Sequence, residues 1–348
     1  MKSIKSIRAT LLSLAIFAGA FAASTPVFAE TEQASETAYQ KKYEQAGEQE
    51  DKSFVIAYPD TIKEVPGGEE LEDLVLPKRP ERIVVGSSAP VQLMHDIAGA
   101  SLVAISDSKL APWAQEWPDL PRLSFNHGQV DVEKIVEKEP DLVMIHIGFK
   151  DQVADAMKEA GIPVYYVNAG HTVPFESIRE ESQALLDSFV NDDATKAEAE
   201  RIMGKFIQAD KIFEEMKAKF EGKTCLVMQG DSEGAYVQTA KGTLGNVADH
   251  CGFKNLFEGE VPMAPMDPEQ SVIADPECIF SVGRAAKAEE QMEEMKKLFA
   301  SNEEYWNQYS AVKNDQVVAL PSSLVTSYGY PICDAIQDFA DCVNAKIK

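Results

Sequence analysis

Apolar positions along this chain follow two periods in turn. Short runs rich in β-branched and aliphatic residues recur at 82–85, 102–105, 141–145, 164–167, 225–229, 278–282 and 316–320, each short enough to be a strand buried on both faces. Between them, apolar residues at helical spacing predict helices over 90–99, 131–139, 151–161, 243–252 and 288–300. Strands alternating with helices imply parallel sheets covered by helices.

The longest helical pattern runs over 192–220, where Ala199, Ile202, Met203, Phe206, Ile207, Ile212, Phe213 and Met216 fall on one stripe. It contains no Pro, and Gly204 alone weakens it, so the spacing predicts one helix of about eight turns. Gly222 closes it before a new strand at Thr224. A helix this long between two α/β halves makes a stiff link and limits how far the halves can close.

The sequence also repeats itself. "QVDVEKIVEKEPDLVMIH" in the first half and "PMDPEQSVIADPECIFSV" in the second each set a helix before a proline, Pro140 or Pro276, and a strand after it. Each proline ends its helix and starts an extended segment. The expected fold is α/β: two Rossmann-like lobes with parallel sheets, related by duplication, joined by one long rigid helix, with a ligand cleft between them.

At the N-terminus, Lys2, Lys5 and Arg8 precede an apolar stretch from Leu11 to Ala23, followed by Val27, Phe28 and Ala29. This is the pattern of a secretory signal peptide cleaved after Ala29. Gly19, Ser24, Thr25 and Pro26 interrupt the run short of the ~20 apolar residues that span a bilayer. No Cys follows it, so no lipoprotein attachment is expected, and the location implied is the periplasm. The organisation expected is a signal peptide (1–29), an acidic flexible segment (30–51), an N-terminal lobe (52–190), the connecting helix (191–221) and a C-terminal lobe (222–348).

Charge narrows the partners. A formal charge of −24 and a pI near 4.6 argue against nucleic acid, which needs clustered Lys and Arg; they favour solubility and a faster encounter with a basic partner. Five cysteines, Cys225, Cys251, Cys278, Cys333 and Cys342, leave an odd thiol, and none has CxxC spacing. Cys225 and Cys278 fall in predicted core strands, where a thiol behaves as a small apolar residue. Enzyme signatures are missing: "VVGSSAP" lacks the second Gly of GxSxG, "EGKTC" lacks the earlier Gly of a phosphate-binding loop, and no GxGxxG occurs. A two-lobed α/β enzyme would rest on architecture alone.

"LPKRPERIVVGSSAPVQLMHDIAGA", "AMKEAGIPVYYVN", "TLGNVADHCGFKNLF", the closing "VVALPSSL" and the paired repeat units, in this order, resemble the class III substrate-binding proteins of importers for cobalamin, haem and ferric siderophores. The resemblance covers the chain from Ser53 onward. It implies a monomeric, non-enzymatic binding protein needing no cofactor, whose partner is an ABC permease dimer with its cytoplasmic ATPases. It implies that Glu133 and Glu269, one per lobe, dock onto Arg residues of the two permease subunits, where charge-assisted pairs give orientation as well as attraction. Read alone, each is an ordinary first-turn Glu favoured by the helix dipole. The resemblance further implies a disulfide between Cys251 and Cys342, and leaves Cys333 unassigned.

In open parallel sheets the ligand lies beyond the carboxyl ends of the strands. Those ends place Ser87, Ser88, Lys109, Trp113 and His127 in the first lobe, and Tyr236, Met263, Arg284 and Tyr328 in the second. Three ligand chemistries compete. A metal complex comes first, a ferric siderophore or haem, with cobalamin behind it: the resemblance places His127 and Met263 at ligand-contact positions, and they would be iron ligands only if haem is the cargo. An oxyanion such as molybdate or tungstate is second, held by Ser87, Ser88 and Arg284 at the turn before Pro90, although serines there also serve as ordinary helix caps. Bare Zn or Mn is last: of His95, His127, His146, His171 and His250, two fall inside predicted helices, and closed zinc sites need ligands from all sides.

Overall fold

The computed structural model describes residues 38–107, 116–126, 129–168, 173–231, 234–259 and 261–348; the signal-peptide segment lies outside them. Three short strands open the fold, β1 (Gly47–Glu48), β2 (Phe54–Ile56) and β3 (Leu74–Leu76), paired antiparallel. A second set follows: β4 (Ile83–Val85), β5 (Leu102–Ser106), β6 (Arg122–Leu123), the small hairpin β7 (Phe125–Asn126) and β8 (Gln129–Val130), β9 (Leu142–His146) and β10 (Val164–Val167). Five of these build an all-parallel sheet in the order β10-β9-β4-β5-β6. Its central strands are buried along their aliphatic runs, Ile83–Val85 and 142–145, as those unbroken runs require.

The second half contributes β11 (Thr224–Asp231), β12 (Gly234–Gln238), β13 (Lys254–Asn255), β14 (Met263–Pro265), β15 (Cys278–Val282) and β16 (Val317–Leu320). They form a sheet in the order β14-β12-β11-β15-β16, with β13 beside β11. β11, β13, β15 and β16 are parallel, as expected, but β12 and β14 run antiparallel. The expectation of a purely parallel second sheet is therefore corrected. β12 starts too soon after β11 for a crossover, and only an antiparallel return fits so short a connection.

The connecting helix spans Asp193–Phe220, 28 residues, about 42 Å at 1.5 Å per residue. Asp192 caps it by accepting the Thr195 N–H at 2.8 Å, while the Thr195 hydroxyl accepts back from the Asp192 N–H. It packs on the helices Ala89–Ala98 and Phe175–Phe189 of the first lobe and on Thr243–His250 and Ile332–Lys346 of the second. The predicted stripe is buried except Ile207, which is exposed. One continuous apolar core runs from Phe54 and Ile83 through Phe206 and Phe213 to Cys225 and Phe280.

Residues 38–51 depart from the flexible segment expected at 30–51. The carboxylate of Asp187, 2% exposed, accepts the Tyr39 hydroxyl at 2.9 Å and the backbone N–H groups of Lys42 and Tyr43 at 2.7 Å each. Ala46 is buried and β1 pairs with β2. A buried carboxylate needs several donors, and this stretch supplies three of them.

The cysteines also differ from expectation. All five are free thiols, so the Cys251–Cys342 bond is not formed. Cys251 is fully buried beside Cys225, whereas Cys342 is half-buried among Asp338, Asp341 and Glu289. Burial pushes the Cys278 thiol up to about 12 and holds Cys225 well above its ordinary value, which makes both poor nucleophiles.

Candidate functional site

The ends of the first sheet assemble a small polar floor. Past β4 the chain turns through Gly86, whose N–H donates to the Met144 carbonyl at 2.7 Å. A Cβ on Gly86 would stand 2.5 Å from the ring of Phe125, so only glycine lets that ring lie against the strand end. Ser87 is buried, and the Ser88 and Ser106 hydroxyls lie 3.4 Å apart. Ser88 precedes the helix Ala89–Ala98 without capping it by its side chain. The cap role considered for it is thus not taken up. Ser106 and Phe125 were not singled out from the sequence, although both sit at strand ends where the topological rule places ligands.

In the second lobe Tyr236 and Met263 share one face of the antiparallel pair β12–β14, because Tyr236 pairs with Pro265 and Gln238 with Met263. Tyr236 is 46% exposed, Met263 is half-buried and Arg284 is exposed just past β15. Tyr328 is half-buried against the core. Lys109, Trp113 and His127 lie outside the described residues.

Several contacts tie the lobes behind this floor. A Cβ on Gly329 (φ +69°) would stand 2.1 Å from the Ala89 carbonyl oxygen, so the second-lobe loop lies directly on the first-lobe helix. Next to it the Tyr330 hydroxyl donates to Asp96 at 2.6 Å, and Arg201 of the connecting helix donates to both, at 2.9 and 3.1 Å. Farther along, Thr243 bonds both the N–H and the carbonyl of Val173, and Asn246 accepts the Phe175 N–H at 2.8 Å. His250 and Glu176 pair at 2.7 Å; the pair raises the imidazole and lowers the carboxyl from their ordinary values.

Glu181 is the unusual group here. It lines a small internal cavity with Ala89, Pro90, Asn168, Ile178 and Gly329. Burial pushes its carboxyl up to about 7, partly countered by the Asn168 N–H it accepts at 2.8 Å. No sequence signal marks it, since a lone Glu in an amphipathic helix reads as a surface residue.

Three histidines have structural partners. His95 stacks on Trp117 at 3.6 Å between ring centroids, which assigns Trp117 to packing its loop. His250 stacks on Phe213, and the His146 Nδ1 accepts the Gly148 N–H. Among the described residues no three His, Cys, Asp or Glu side chains stand together as a metal site.

The two repeat units share the same local features. Asp131 and Asp267 cap their helices by accepting backbone N–H groups. Glu133 and Glu269 follow at the second helical position, both exposed. Glu139 and Asp275 both take left-handed backbone, φ 47° and 42°. Asp141 then accepts from the N–H groups of Glu81 and Arg82, and Glu277 from that of Thr224, each carboxylate holding the start of a parallel strand, β4 and β11.

A family model described as "Periplasmic binding protein" matches residues 83–324, from β4 to the turn after β16. The chain belongs to this family. An ABC transporter substrate-binding lipoprotein of Bacillus subtilis strain 168, YvrC, is 23% identical over 282 residues, covering 78% of this chain and 82% of that protein. In fold the chain is similar to the periplasmic vitamin B12-binding protein BtuF of Vibrio cholerae (TM-score 0.58, 19% identity, 76% and 97% of the two chains). It is likewise similar to S. aureus IsdE complexed with heme (0.58, 18%, 75% and 98%). As a periplasmic binding protein it is the substrate-binding component of an ABC transporter, not an enzyme. The family is extracellular or periplasmic and implies a permease with its ATPases as partner. No described helix is long and apolar enough to cross a membrane.

Proposed function

We propose that this protein captures an iron complex, a ferric siderophore or haem, in the periplasm and delivers it to a membrane permease by docking through Glu133 and Glu269. The observation that carries the ligand class is the character of the strand-end walls. Phe125 lies against Gly86 at the strand ends of the first lobe, and Tyr236 and Met263 share a face in the second; brought together with the Ser88 and Ser106 hydroxyls across a cleft, they would give the apolar wall with a few polar anchors that a large, mostly apolar ligand requires. The commitment of His95, His146 and His250 to packing and local bonds argues for a complexed rather than a bare metal. Cobalamin is the second reading, favoured by the likeness to the vitamin B12-binding protein; an oxyanion on Ser87, Ser88 and Arg284 ranks behind it.

Docking is supported by the matched exposure of Glu133 and Glu269 on equivalent helices, one per lobe. Two carboxylates so placed can register the spacing of the lobes against a twofold partner, and the Gly329, Tyr330 and Thr243 contacts with the 28-residue helix favour a small hinge motion. The test is an absorption titration of the purified protein with haem, cobalamin, a ferric siderophore and molybdate. Binding of haem, with a spectrum altered by replacing His127 or Met263, supports haem with those iron ligands. Silence toward every iron complex, with stabilisation by cobalamin or molybdate, refutes the iron reading.

A further inference from the structure

Ile273 is the most exposed large apolar side chain among the described residues, 82% open to solvent. Isolated exposed apolar residues are common on protein surfaces; this one has a setting that sets it apart. It stands four positions after Glu269 on the helix Pro268–Ala274, so the two side chains share a face. The opposite face is firmly held. Ser271 is fully buried, its hydroxyl within 3.0 Å of the Pro268 carbonyl, 3.1 Å of the Tyr305 hydroxyl and 2.6 Å of the Tyr309 hydroxyl. At the end of the helix, Asp275 accepts the Ser310 N–H and hydroxyl at 2.7 Å each. Ile273 is therefore displayed on a rigid support, and little ordering remains to be done when a partner covers it.

The repeat gives the comparison. In the first lobe the position equivalent to Ile273 is Glu137, also exposed, so that helix presents Glu133 and Glu137 together. One lobe offers two carboxylates beside Val136, 38% exposed, the other a carboxylate and an isoleucine 82% exposed. We propose that the two docking helices are unequal. On the first lobe the permease meets two carboxylates with only the edge of Val136 beside them, whereas on the second Ile273 seats in an apolar recess beside the basic group that receives Glu269. This rests on the docking reading above and adds an apolar anchor to it, the kind of central contact that carries a large share of binding energy when it is fully desolvated.

The experiment measures binding of the full-length mature protein to the permease–ATPase complex of its own importer in nanodiscs, by biolayer interferometry across a range of salt. Ile273→Ser should weaken binding at least tenfold while keeping its salt dependence, and Ile273→Leu should stay within twofold. Glu133→Gln and Glu269→Gln should weaken binding and flatten the salt dependence, because they remove charge. If the glutamate variants weaken binding and Ile273→Ser stays within twofold of wild type, the anchor is refuted and docking stands. Unchanged binding in all the variants refutes docking and the anchor together. Sedimentation velocity completes the set: self-association abolished by Ile273→Ser, with permease binding intact, would mean that Ile273 serves a second copy of this chain and would overturn the proposal.

Discussion

Glu181→Gln should make the protein more stable at pH 8 and leave it nearly unchanged at pH 4. The native carboxyl, buried in the cavity beside Ala89 and Asn168, titrates at about 7 rather than at its ordinary 4.5. Between those two values the native state binds the proton more tightly than the unfolded chain does, so stability falls as pH rises through the window. The penalty is absent below about pH 4.5 and complete above about pH 7. A gap of about 2.5 pH units, at about 1.4 kcal/mol for each, gives ~3 kcal/mol as the order of magnitude. Glutamine keeps the volume and can still accept the Asn168 N–H, so the variant removes the ionisation and little else. Urea unfolding of both proteins at pH 4, 6 and 8 provides the assay, and the difference between them isolates Glu181 from the many other carboxylates. It should grow from near zero to ~3 kcal/mol, or ~5 °C in Tm for a chain of this size. A difference constant across pH, or largest at pH 4, would refute the assignment of a protonated buried carboxyl.

Gly329→Ala should destabilise by at least ~1–2 kcal/mol in thermal unfolding, since φ +69° and the Ala89 carbonyl both oppose a Cβ; a neutral result would mean that the loop does not rest on that helix. Asp192→Ala should lower the urea midpoint at neutral pH by removing the cap of the connecting helix, and an unchanged midpoint would mean that the cap adds nothing to stability. The His250–Glu176 pair raises the imidazole, so its contribution is fully present below the unfolded histidine value of ~6.5 and is lost as pH rises through the higher native value; Glu176→Gln should lower the His250 titration midpoint observed by NMR, and an unchanged midpoint would remove the pair as its cause.

The elements were legible wherever one period ran long enough. The strand expected at 278–282 appears with those bounds, and the 28-residue helix follows its apolar stripe, because burial against two lobes imposes a continuous pattern. Less was legible at residues 38–51. Their polar composition reads as a solvated lead, and their order comes from Asp187, a carboxylate far along the chain whose burial no local pattern announces. The antiparallel β12 was hidden for a related reason, since apolar alternation says nothing of strand direction. Cys251 and Cys342, paired by resemblance, are free thiols in the structure.

By itself the sequence determined the α/β class and the repeated units, because helix and strand periods and proline breaks act over a few residues. Only the tertiary structure decided which hydroxyls meet at Ser88 and Ser106, that Phe125 lies on Gly86, that Glu181 is buried at the junction of the lobes, and that Ile273 stands in the open on a fixed helix. Each depends on which distant surface arrives against a residue. A sequence read one window at a time carries no term for that encounter.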